Sequence, residues 1–374
     1  MKILHVYKTY YPHSLGGIEQ MIYQLCEGLM NYNVDCEVLT LSKNSSYKAS
    51  INNHQVNYAK LNLEYASTGM SIPALGMFYK LARQCDIIQY HFPWPFADIL
   101  HFFKFIKKPT ILTYHSDIIK QKHLLKLYTP LMHIFLKSVD KIICTSPNYL
   151  ESSEVLQKYK DKTEVIPIGI PKVNIDLNSN ENFSRVNYWQ NIIKKPFFLF
   201  IGVLRYYKGL HFLLEAVRNA PYYVVIAGNG PLEQELKNKA NDLKLDNVLF
   251  AGEITEQDKN ILLSLSYAFV FPSHIRTEAF GISLLEAAMH GKAMISCEIG
   301  AGMSYINQNN ITGYIIPAQN SHALRNAMDN LYDNPNLTLE FAKNAKLRFN
   351  ELFTKDEMCS KYVDVYKDLL DKIV

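Results

Sequence analysis

No apolar run in the 374-residue chain reaches the roughly 18 residues that a membrane-spanning helix requires. The six cysteines are scattered and include no C-x-x-C pair, which favours a reduced protein without structural zinc. The chain opens with KILHVY, which is typical of a strand and not of a basic segment followed by an apolar one, so we expect no signal peptide. These features indicate a cytoplasmic protein.

The size of the chain exceeds one ordinary core, so two domains are expected. Strand-like and helix-like stretches alternate in both halves, which predicts parallel sheets in two α/β domains. Residues 171–190 are rich in Asn and Ser and lack clear periodicity, and we predict a linker there. The predicted domains are then residues 1–170 and 191–354, followed by a closing helix over residues 355–374.

Charge is distributed unevenly along the chain. Residues 1–170 contain 18 Lys and Arg against 13 Asp and Glu, whereas the remainder contains 21 against 22. A basic half suggests an anionic partner such as a membrane surface or a phosphate-bearing substrate, although chance gives similar imbalances. The stretch FADILHFFKFIKKP (96–109) joins aromatic residues to three lysines. It predicts either a helix lying in a membrane interface or a packed helix with a solvated edge.

Polar residues follow several predicted strands, at the ends where ligands collect in parallel sheets. Gly16 and Gly17 lie in the first strand-to-helix turn, without a G-x-G-x-x-G pattern; they indicate either a phosphate site or only a tight turn. His115 follows the strand-like TILTY, although a lone histidine is more often structural. Arg205 and Lys208 occupy a strand-to-helix turn of the second half, where they suit a diphosphate or form solvated surface charge.

We predict a strand, a polar loop and a helix from Ile282 to His290 within residues 267–291, YAFVFPSHIRTEAFGISLLEAAMHG. The loop contains Glu278 and Gly281, and we place Glu286 in the first turn of the helix. Free N–H groups at a helix start attract anions, and a glycine beside them permits close approach. The two carboxylates either hold pairs of vicinal hydroxyls or simply face water.

The order of these residues resembles the E-x7-E signature of retaining glycosyltransferases of family 4. The resemblance rests on Glu278-Ala279-Phe280-Gly281, on Leu284-Leu285-Glu286-Ala287 and on Gly291, and it extends over nearly the whole chain. It implies the GT-B fold, in which two Rossmann-like parallel-sheet domains face each other across a cleft. It also implies that the closing helix packs back on the N-terminal domain.

The resemblance assigns roles to individual residues. His115 would contact the transferred sugar, Glu278 would hold sugar hydroxyls and Glu286 would hold the ribose. Arg205 and Lys208 would neutralise the leaving diphosphate, although Arg205 stands two places after the usual arginine position of the family. The implied catalytic residues are His115, Glu278, Lys208 and Arg205. The implied donor-binding residues are Gly16, Gly17, Arg205, Lys208, Glu278, Ala279, Phe280, Gly281, Ile282 and Glu286.

Similarity to bacterial mannosyl- and polysaccharide-biosynthesis transferases implies a hexosyltransferase that retains the anomeric configuration. The expected donor is GDP-mannose, and the expected acceptor is a lipid-linked oligosaccharide of O-antigen or capsule. Because the chain contains no D-x-D triplet, we expect no metal and no other cofactor. Contact with the inner face of the membrane is a hypothesis, and no nucleic acid is expected. The alternatives are a UDP-sugar transferase, an inverting transferase or epimerase of the same fold, and a non-catalytic sugar-nucleotide-binding protein.

Overall fold

The computed structural model describes residues 1–14, 16–103, 107–118, 122–193 and 195–372. The chain divides into two compact units. The N-terminal unit comprises Met1–Pro171 together with Leu352–Val374, and the C-terminal unit comprises Lys172–Glu351. Among the described residues, no helix combines the length and the apolarity needed to cross a bilayer.

Sixteen strands and fifteen α-helices make up the described part of the chain. The strands are β1 (Lys2–Val6), β2 (Asp35–Ser42), β3 (Tyr47–Ile51), β4 (His54–Lys60), β5 (Leu63–Tyr65), β6 (Thr68–Met70), β7 (Ile87–Phe92), β8 (Thr110–Tyr114), β9 (Lys141–Cys144), β10 (Thr163–Val165), β11 (Phe197–Ile201), β12 (Tyr223–Ala227), β13 (Val248–Gly252), β14 (Ala268–Phe271), β15 (Met294–Glu298) and β16 (Gly313–Pro317). The helices are α1 (Gly17–Leu29), α2 (Ile72–Gln84), α3 (Pro95–Phe102), α4 (Lys122–Ser138), α5 (Pro147–Ser152), α6 (Glu154–Gln157), α7 (Asn180–Ile192), α8 (Leu210–Ala216), α9 (Glu233–Asp242), α10 (Glu256–Leu265), α11 (Ile282–Met289), α12 (Met303–Ile306), α13 (Ser321–Asp333), α14 (Pro335–Leu352) and α15 (Lys355–Asp371).

The sheet of the N-terminal unit has the order β10-β9-β8-β7-β1-β2-β4-β3, and β3 is its antiparallel edge strand. Strands β2, β4 and β3 lie on one side of β1, and the later strands, starting with β7, lie on its other side. The order therefore reverses between β1 and β7, and the carboxyl ends of these two strands border a crevice where ligands bind in such folds. The short strands β5 and β6 form a separate hairpin.

The last helix, α15, belongs to the N-terminal unit and packs against α1. Tyr362 and Tyr366 of this helix are fully buried. Their hydroxyls hydrogen-bond to Thr113 on β8 at 3.1 Å and to Gln89 on β7 at 2.5 Å. The end of the chain thus contributes to the core of the unit in which the chain begins.

The C-terminal unit contains a six-stranded parallel sheet in the order β13-β12-β11-β14-β15-β16. Its central strands have the sequences FFLFI, YVVIA and AFVF and are almost entirely buried, as expected for parallel strands covered on both faces. Here the order reverses between β11 and β14. The loops after these two strands therefore flank the crevice of this sheet.

Three local predictions differ from the structure. The predicted linker, 171–190, contains most of α7, which Ser179 caps by accepting a hydrogen bond from the Asn182 N–H. The sequence predicts a single helix from about Pro147 to Tyr159, but the structure divides this stretch into α5 and α6 at Ser153. Within the stretch 96–109, α3 ends at Phe102 and residues 107 and 108 are not helical, whereas Lys104 lies outside the described residues.

Candidate active site

The loops after β11 and β14 meet at the crevice of the C-terminal unit. The first contains a short 3₁₀ turn, Tyr206–Lys208, that ends at Gly209 in a left-handed conformation with φ of +70°. A Cβ on Gly209 would lie 2.1 Å from the carbonyl oxygen of Pro272 in the second loop. Only glycine therefore satisfies both the backbone conformation and the close approach of the loops.

An ion pair joins the two loops. The Nζ of Lys208 donates a hydrogen bond to Oε2 of Glu278 at 2.5 Å, and the Ser273 hydroxyl donates to the same oxygen at 3.3 Å. The side chains of Lys208 and Glu278 are only 9% and 13% exposed. The ammonium also lies 4.4 Å from the centroid of the Phe271 ring, where a cation is attracted by the ring face. Both residues were predicted as catalytic, and the structure brings them together.

The helix α11 begins beside this ion pair. Gly281 precedes it with φ of +97°, and no side chain caps the helix. The first N–H groups of a helix have no partner within the helix, so this start offers donors to an anion or a polar oxygen. Gly281 and Ile282, predicted to bind the donor, lie where such a ligand would accept hydrogen bonds.

Glu286 lies in the second turn of α11, so the prediction that places it in the first turn is wrong. Its carboxylate pairs with Lys259 of α10 at 2.6 Å, and Lys259 also contacts Glu256 at 2.7 Å. Burial raises the pKa of Glu286, and Lys259 opposes that rise. A ribose that binds to Glu286 would therefore share the carboxylate with Lys259. The sequence contains no signal for Lys259, because this pairing depends on how α10 packs near α11.

The other residues predicted in this half contribute differently. Arg205 is exposed and forms no ion pair with any described residue. Its carbonyl accepts a hydrogen bond from the Lys208 N–H at 3.0 Å. The Ala279 carbonyl accepts from the Gly302 N–H at 2.9 Å, and the ring of Phe280 is buried close to Gly302. The side chain of Phe280 therefore packs within the loops of the site and helps to shape them.

In the N-terminal unit, Gly16 and Gly17 start α1 after the loop that follows β1. The buried carboxylate of Glu19 lies against them and accepts hydrogen bonds from Thr9 at 2.8 Å and Ser14 at 2.5 Å. A Cβ on Gly16 would lie 2.5 Å from Oε2 of Glu19, so a larger residue there would require this carboxylate to move. Any diphosphate near these glycines would face the carboxylate of Glu19. This residue was not among the predicted site residues.

His115 follows β8 at the carboxyl edge of the N-terminal sheet and is buried. Its Nε2 lies 3.0 Å from Nδ1 of His91. Burial lowers the pKa of His115 to about 3, so the ring is neutral near pH 7. The neighbouring Asp117 accepts hydrogen bonds from the hydroxyls of Tyr114 at 2.9 Å and Ser153 at 2.7 Å. These bonds fasten the loop that carries His115.

Taken by itself, the C-terminal site combines a buried cation, two carboxylates and an uncapped helix start, which lie in two adjacent loops and in the helix α11. Such groups suit a ligand that has both hydroxyls and phosphates. Carboxylates accept hydrogen bonds from hydroxyls, whereas an ammonium and free N–H groups bind phosphate oxygens. The N-terminal unit adds a neutral histidine at its own crevice, which suits an uncharged polar group.

Two family descriptions match the chain, and together they span most of it. Glycosyltransferase Family 4 matches residues 15–172, and Glycosyl transferases group 1 matches residues 188–348. The chain is 49% identical to D-rhamnosyltransferase WbpZ of Pseudomonas aeruginosa, over 95% of this chain and 92% of that protein. It is 46% identical to O-antigen chain mannosyltransferase C of Escherichia coli, over 99% of each.

Solved structures share the fold at much lower sequence identity. Sucrose-phosphate synthase from Thermosynechococcus elongatus superposes with a TM-score of 0.80 at 19% identity, over 99% of each chain. Anabaena HepE in complex with UDP superposes with a TM-score of 0.77 at 17% identity, over 98% of this chain and 100% of that one. At this identity the likeness concerns the fold alone.

Proposed function

Because the chain belongs to glycosyltransferase family 4 and has the GT-B fold, as its sequence predicts, it is a glycosyltransferase, and we propose that it elongates a bacterial surface polysaccharide. The proposed reaction transfers a hexose from a nucleotide diphosphate sugar to a hydroxyl of a lipid-linked oligosaccharide. GDP-mannose is the proposed donor. Its support is the similarity to an O-antigen mannosyltransferase and to a D-rhamnosyltransferase, since rhamnose is mannose without the hydroxyl on C6.

The observation that carries the proposal is the ion pair of Lys208 and Glu278, which joins the loops after the neighbouring strands β11 and β14. The difficult part of the reaction is the separation of a positively charged sugar from an anionic diphosphate. Positive groups held in place before the reaction stabilise the leaving charge more effectively than mobile water does. Lys208 and the free N–H groups at the start of α11 would perform this task, and exposed Arg205 would add charge as the diphosphate departs.

Glu278 has a second proposed task, which is to accept hydrogen bonds from sugar hydroxyls. In the ligand-free protein it neutralises Lys208, so the ammonium is kept in a nearly buried position without an uncompensated charge. When the donor binds, the phosphates would take over part of this interaction. The carboxylate would then be released towards the sugar.

We propose retention of configuration without a metal. On this account the leaving phosphate accepts the proton of the attacking hydroxyl while attack occurs on the same face of the sugar. This proposal is supported by membership of the family and by the absence of a D-x-D triplet from the sequence. The charge that a metal supplies in other transferases would come from Lys208, Arg205 and the start of α11.

A direct test combines three donors with a lipid-linked mannose acceptor. Thermal stabilisation by GDP-mannose, GDP-D-rhamnose and UDP-glucose ranks their binding, and transfer of each sugar is then measured. We expect transfer from GDP-mannose and an axial, retained linkage in the product NMR spectrum. Transfer from GDP-D-rhamnose alone would change the proposed sugar. Binding without transfer or hydrolysis in the presence of several acceptors would favour a binding protein instead.

A lipid-linked acceptor requires access to a membrane, and we propose α4 as the contacting surface. Leu124, Leu127 and Ile134 are exposed on this helix at spacings that place them on one face. Lys126 and Lys137 are exposed on the same helix, and the basic composition of residues 1–170 favours an anionic surface. The sequence pointed to residues 96–109 as a membrane contact and not to this helix.

Liposome flotation with anionic vesicles tests the surface. Leu127, 81% exposed, is changed to Glu, and the matched control changes Leu339 of the C-terminal unit, 69% exposed, to Glu. Leu127→Glu should abolish flotation and leave transfer to a soluble acceptor unchanged, whereas Leu339→Glu should leave both unchanged. Equal flotation of the two variants would exclude α4 as the contact.

A further inference from the structure

Three histidines form a continuous line through the N-terminal unit. His5 lies on β1, His91 on β7 and His115 directly after β8, and these strands are neighbours in the sheet. The register pairs His5 with Gln89 and His91 with Thr113, so each histidine lies two residues farther towards the carboxyl edge than the one before it. Because side chains two residues apart share a face of a strand, the three rings lie on one face of the sheet.

Hydrogen bonds connect these rings. Nδ1 of His5 lies 3.2 Å from Nε2 of His91, and Nδ1 of His91 lies 3.0 Å from Nε2 of His115. Neighbouring rings stack with centroids 5.4 and 5.3 Å apart and with planes inclined by 25° and 18°. All three side chains are buried. At the carboxyl edge of the sheet, Nδ1 of His115 is the ring nitrogen left for a ligand.

The positions of the protons along this line depend on one another. Burial lowers the pKa of His91 well below its ordinary range and that of His115 to about 3, so both rings are neutral near pH 7. A neutral imidazole has one N–H donor and one acceptor nitrogen. If His115 donates from Nε2, His91 accepts at Nδ1 and must itself donate from Nε2 to His5. If donor and acceptor are exchanged in one of these hydrogen bonds, they must be exchanged in the other as well.

The inner end of the line lies beside two thiols. A ring nitrogen of His5 and the Sγ atoms of Cys26 and Cys36 lie within 4.8 Å of one another. Nε2 of His5 is buried and has no hydrogen-bond partner within the described ranges. The neighbouring Cys26 and the ring of His5 lower the pKa of Cys36, which increases the acceptor character of its sulfur. A sulfur whose pKa is lowered accepts a proton donor more readily than it donates, so a proton on Nε2 of His5 that faces these sulfurs is the favoured end of the line.

We propose that His91 and His5 are positioning residues that hold the proton of His115 on Nε2, so that Nδ1 of His115 accepts a hydrogen bond from a hydroxyl of a sugar bound at the carboxyl edge of the N-terminal sheet. The nature of the ligand rests on the proposed function. The placement of the protons does not, because it is a property of the ligand-free protein.

The first test is ¹⁵N NMR of the wild-type protein labelled in its histidine rings, without ligand. Protonated and unprotonated ring nitrogens differ widely in chemical shift, and N–H···N bonds produce a coupling between the two nitrogens. We expect an unprotonated Nδ1 and a protonated Nε2 on His115 and on His91, with a coupling across each bond. A protonated Nδ1 on His115, or the lack of both couplings, would overturn the proposal without any substitution.

The second test changes a residue that lies two rings from the ligand. His5→Phe retains an aromatic ring but removes the acceptor for His91, so the proton of His115 should spread over both of its nitrogens. Turnover should then fall roughly five- to tenfold, the size of one lost neutral hydrogen bond, with a smaller change in KM. Tyr7→Phe is the control. The rings of Tyr7 and His91 meet edge to face with their centroids 6.2 Å apart, and Tyr7 is not part of the hydrogen-bonded line.

The outcomes separate this proposal from the proposed function. A folded His5→Phe protein with the wild-type spectrum at His115 would refute the coupling between the rings. A changed spectrum with unchanged turnover would leave the coupling intact and remove His115 from the sugar site. The Tyr7→Phe protein should show the wild-type spectrum at His115, and a shift as large as that in His5→Phe would mean that a change near His91 moves the proton without acting through the hydrogen-bonded line.

Discussion

Replacing Lys208 with Met tests the central part of the proposed mechanism. The substitution preserves most of the apolar length of the side chain and removes the ammonium. If Lys208 stabilises the leaving diphosphate, turnover should fall on the order of 10²-fold, as when one preorganised charge-stabilising donor is removed from an active site. The measurement is single-turnover transfer from saturating donor, so that weaker binding does not contribute.

The same substitution should also lower stability, and the size follows from the geometry. Lys208→Met leaves Glu278, 13% exposed, without its partner at 2.5 Å. Removing one member of a buried ion pair costs about 3–5 kcal/mol, and partial exposure favours the lower end. For a domain of this size, about 3 kcal/mol corresponds to a fall of roughly 6–12 °C in the melting temperature of the C-terminal unit.

A double variant separates the two effects. Lys208→Met combined with Glu278→Gln removes both charges, so most of the lost stability should return while turnover stays low. The matched control is Lys239→Met, which breaks the ion pair of Lys239 and Glu215 at 2.5 Å on the exposed surface of the same unit. Exposed pairs contribute less than about 1 kcal/mol, so this control should alter neither property.

Two results would contradict the proposed role of Lys208. A folded Lys208→Met protein that transfers sugar at more than about a third of the wild-type rate would show that the ammonium does not support the leaving group. A crystal structure with bound donor whose phosphates lie far from Lys208 and Gly281 would lead to the same conclusion.

Three further predictions follow from the site and its surroundings. Glu286→Gln should weaken donor binding by roughly three- to tenfold in calorimetry with little effect on turnover at saturation, and an unchanged donor Kd would remove Glu286 from the ribose. Transfer should continue at the same rate in excess EDTA, and a loss that Mg²⁺ restores would establish a metal requirement. The burial that lowers the pKa of His115 from 6.5 to about 3 contributes stability above pH 6.5 that is lost as the pH falls towards 3. As the pH is lowered from 6.5 to 3, the urea concentration at half-unfolding should therefore fall less steeply for His115→Asn than for the wild type. Parallel plots of this concentration against pH would contradict the burial of a neutral ring.

The sequence predicts the fold well where one physical signal dominates. Buried parallel strands read as continuous apolar runs, and four of these runs predict strands at residues 1–7, 110–113, 196–202 and 267–271. The observed β1, β8, β11 and β14 begin and end within one residue of these bounds. The family, the GT-B fold and the enzyme class are confirmed by the comparisons. The site residues, the domain limits and the independence from metal remain predictions.

The missed features depend on tertiary packing. The helix α7 shows little periodicity because only Val186 and Trp189 of its thirteen residues are buried. Trp189 is held by a hydrogen bond from its indole N–H to Asp258, 69 positions later in the chain. The partners of Glu286 and His115 are likewise distant in sequence, and their contacts exist only after strands and helices have been arranged. A single sequence contains no local sign of them.

The position of α15 has a consequence for how this protein is made. Tyr362 and Tyr366 fill the core of the N-terminal unit and hydrogen-bond to its central strands, yet they follow the whole C-terminal unit in the chain. The ribosome therefore synthesises the whole C-terminal unit while the unit translated first still has an open interior. The half that starts folding first is completed only after the other half, and a nascent chain stalled before α15 would expose that unfinished core to chaperones.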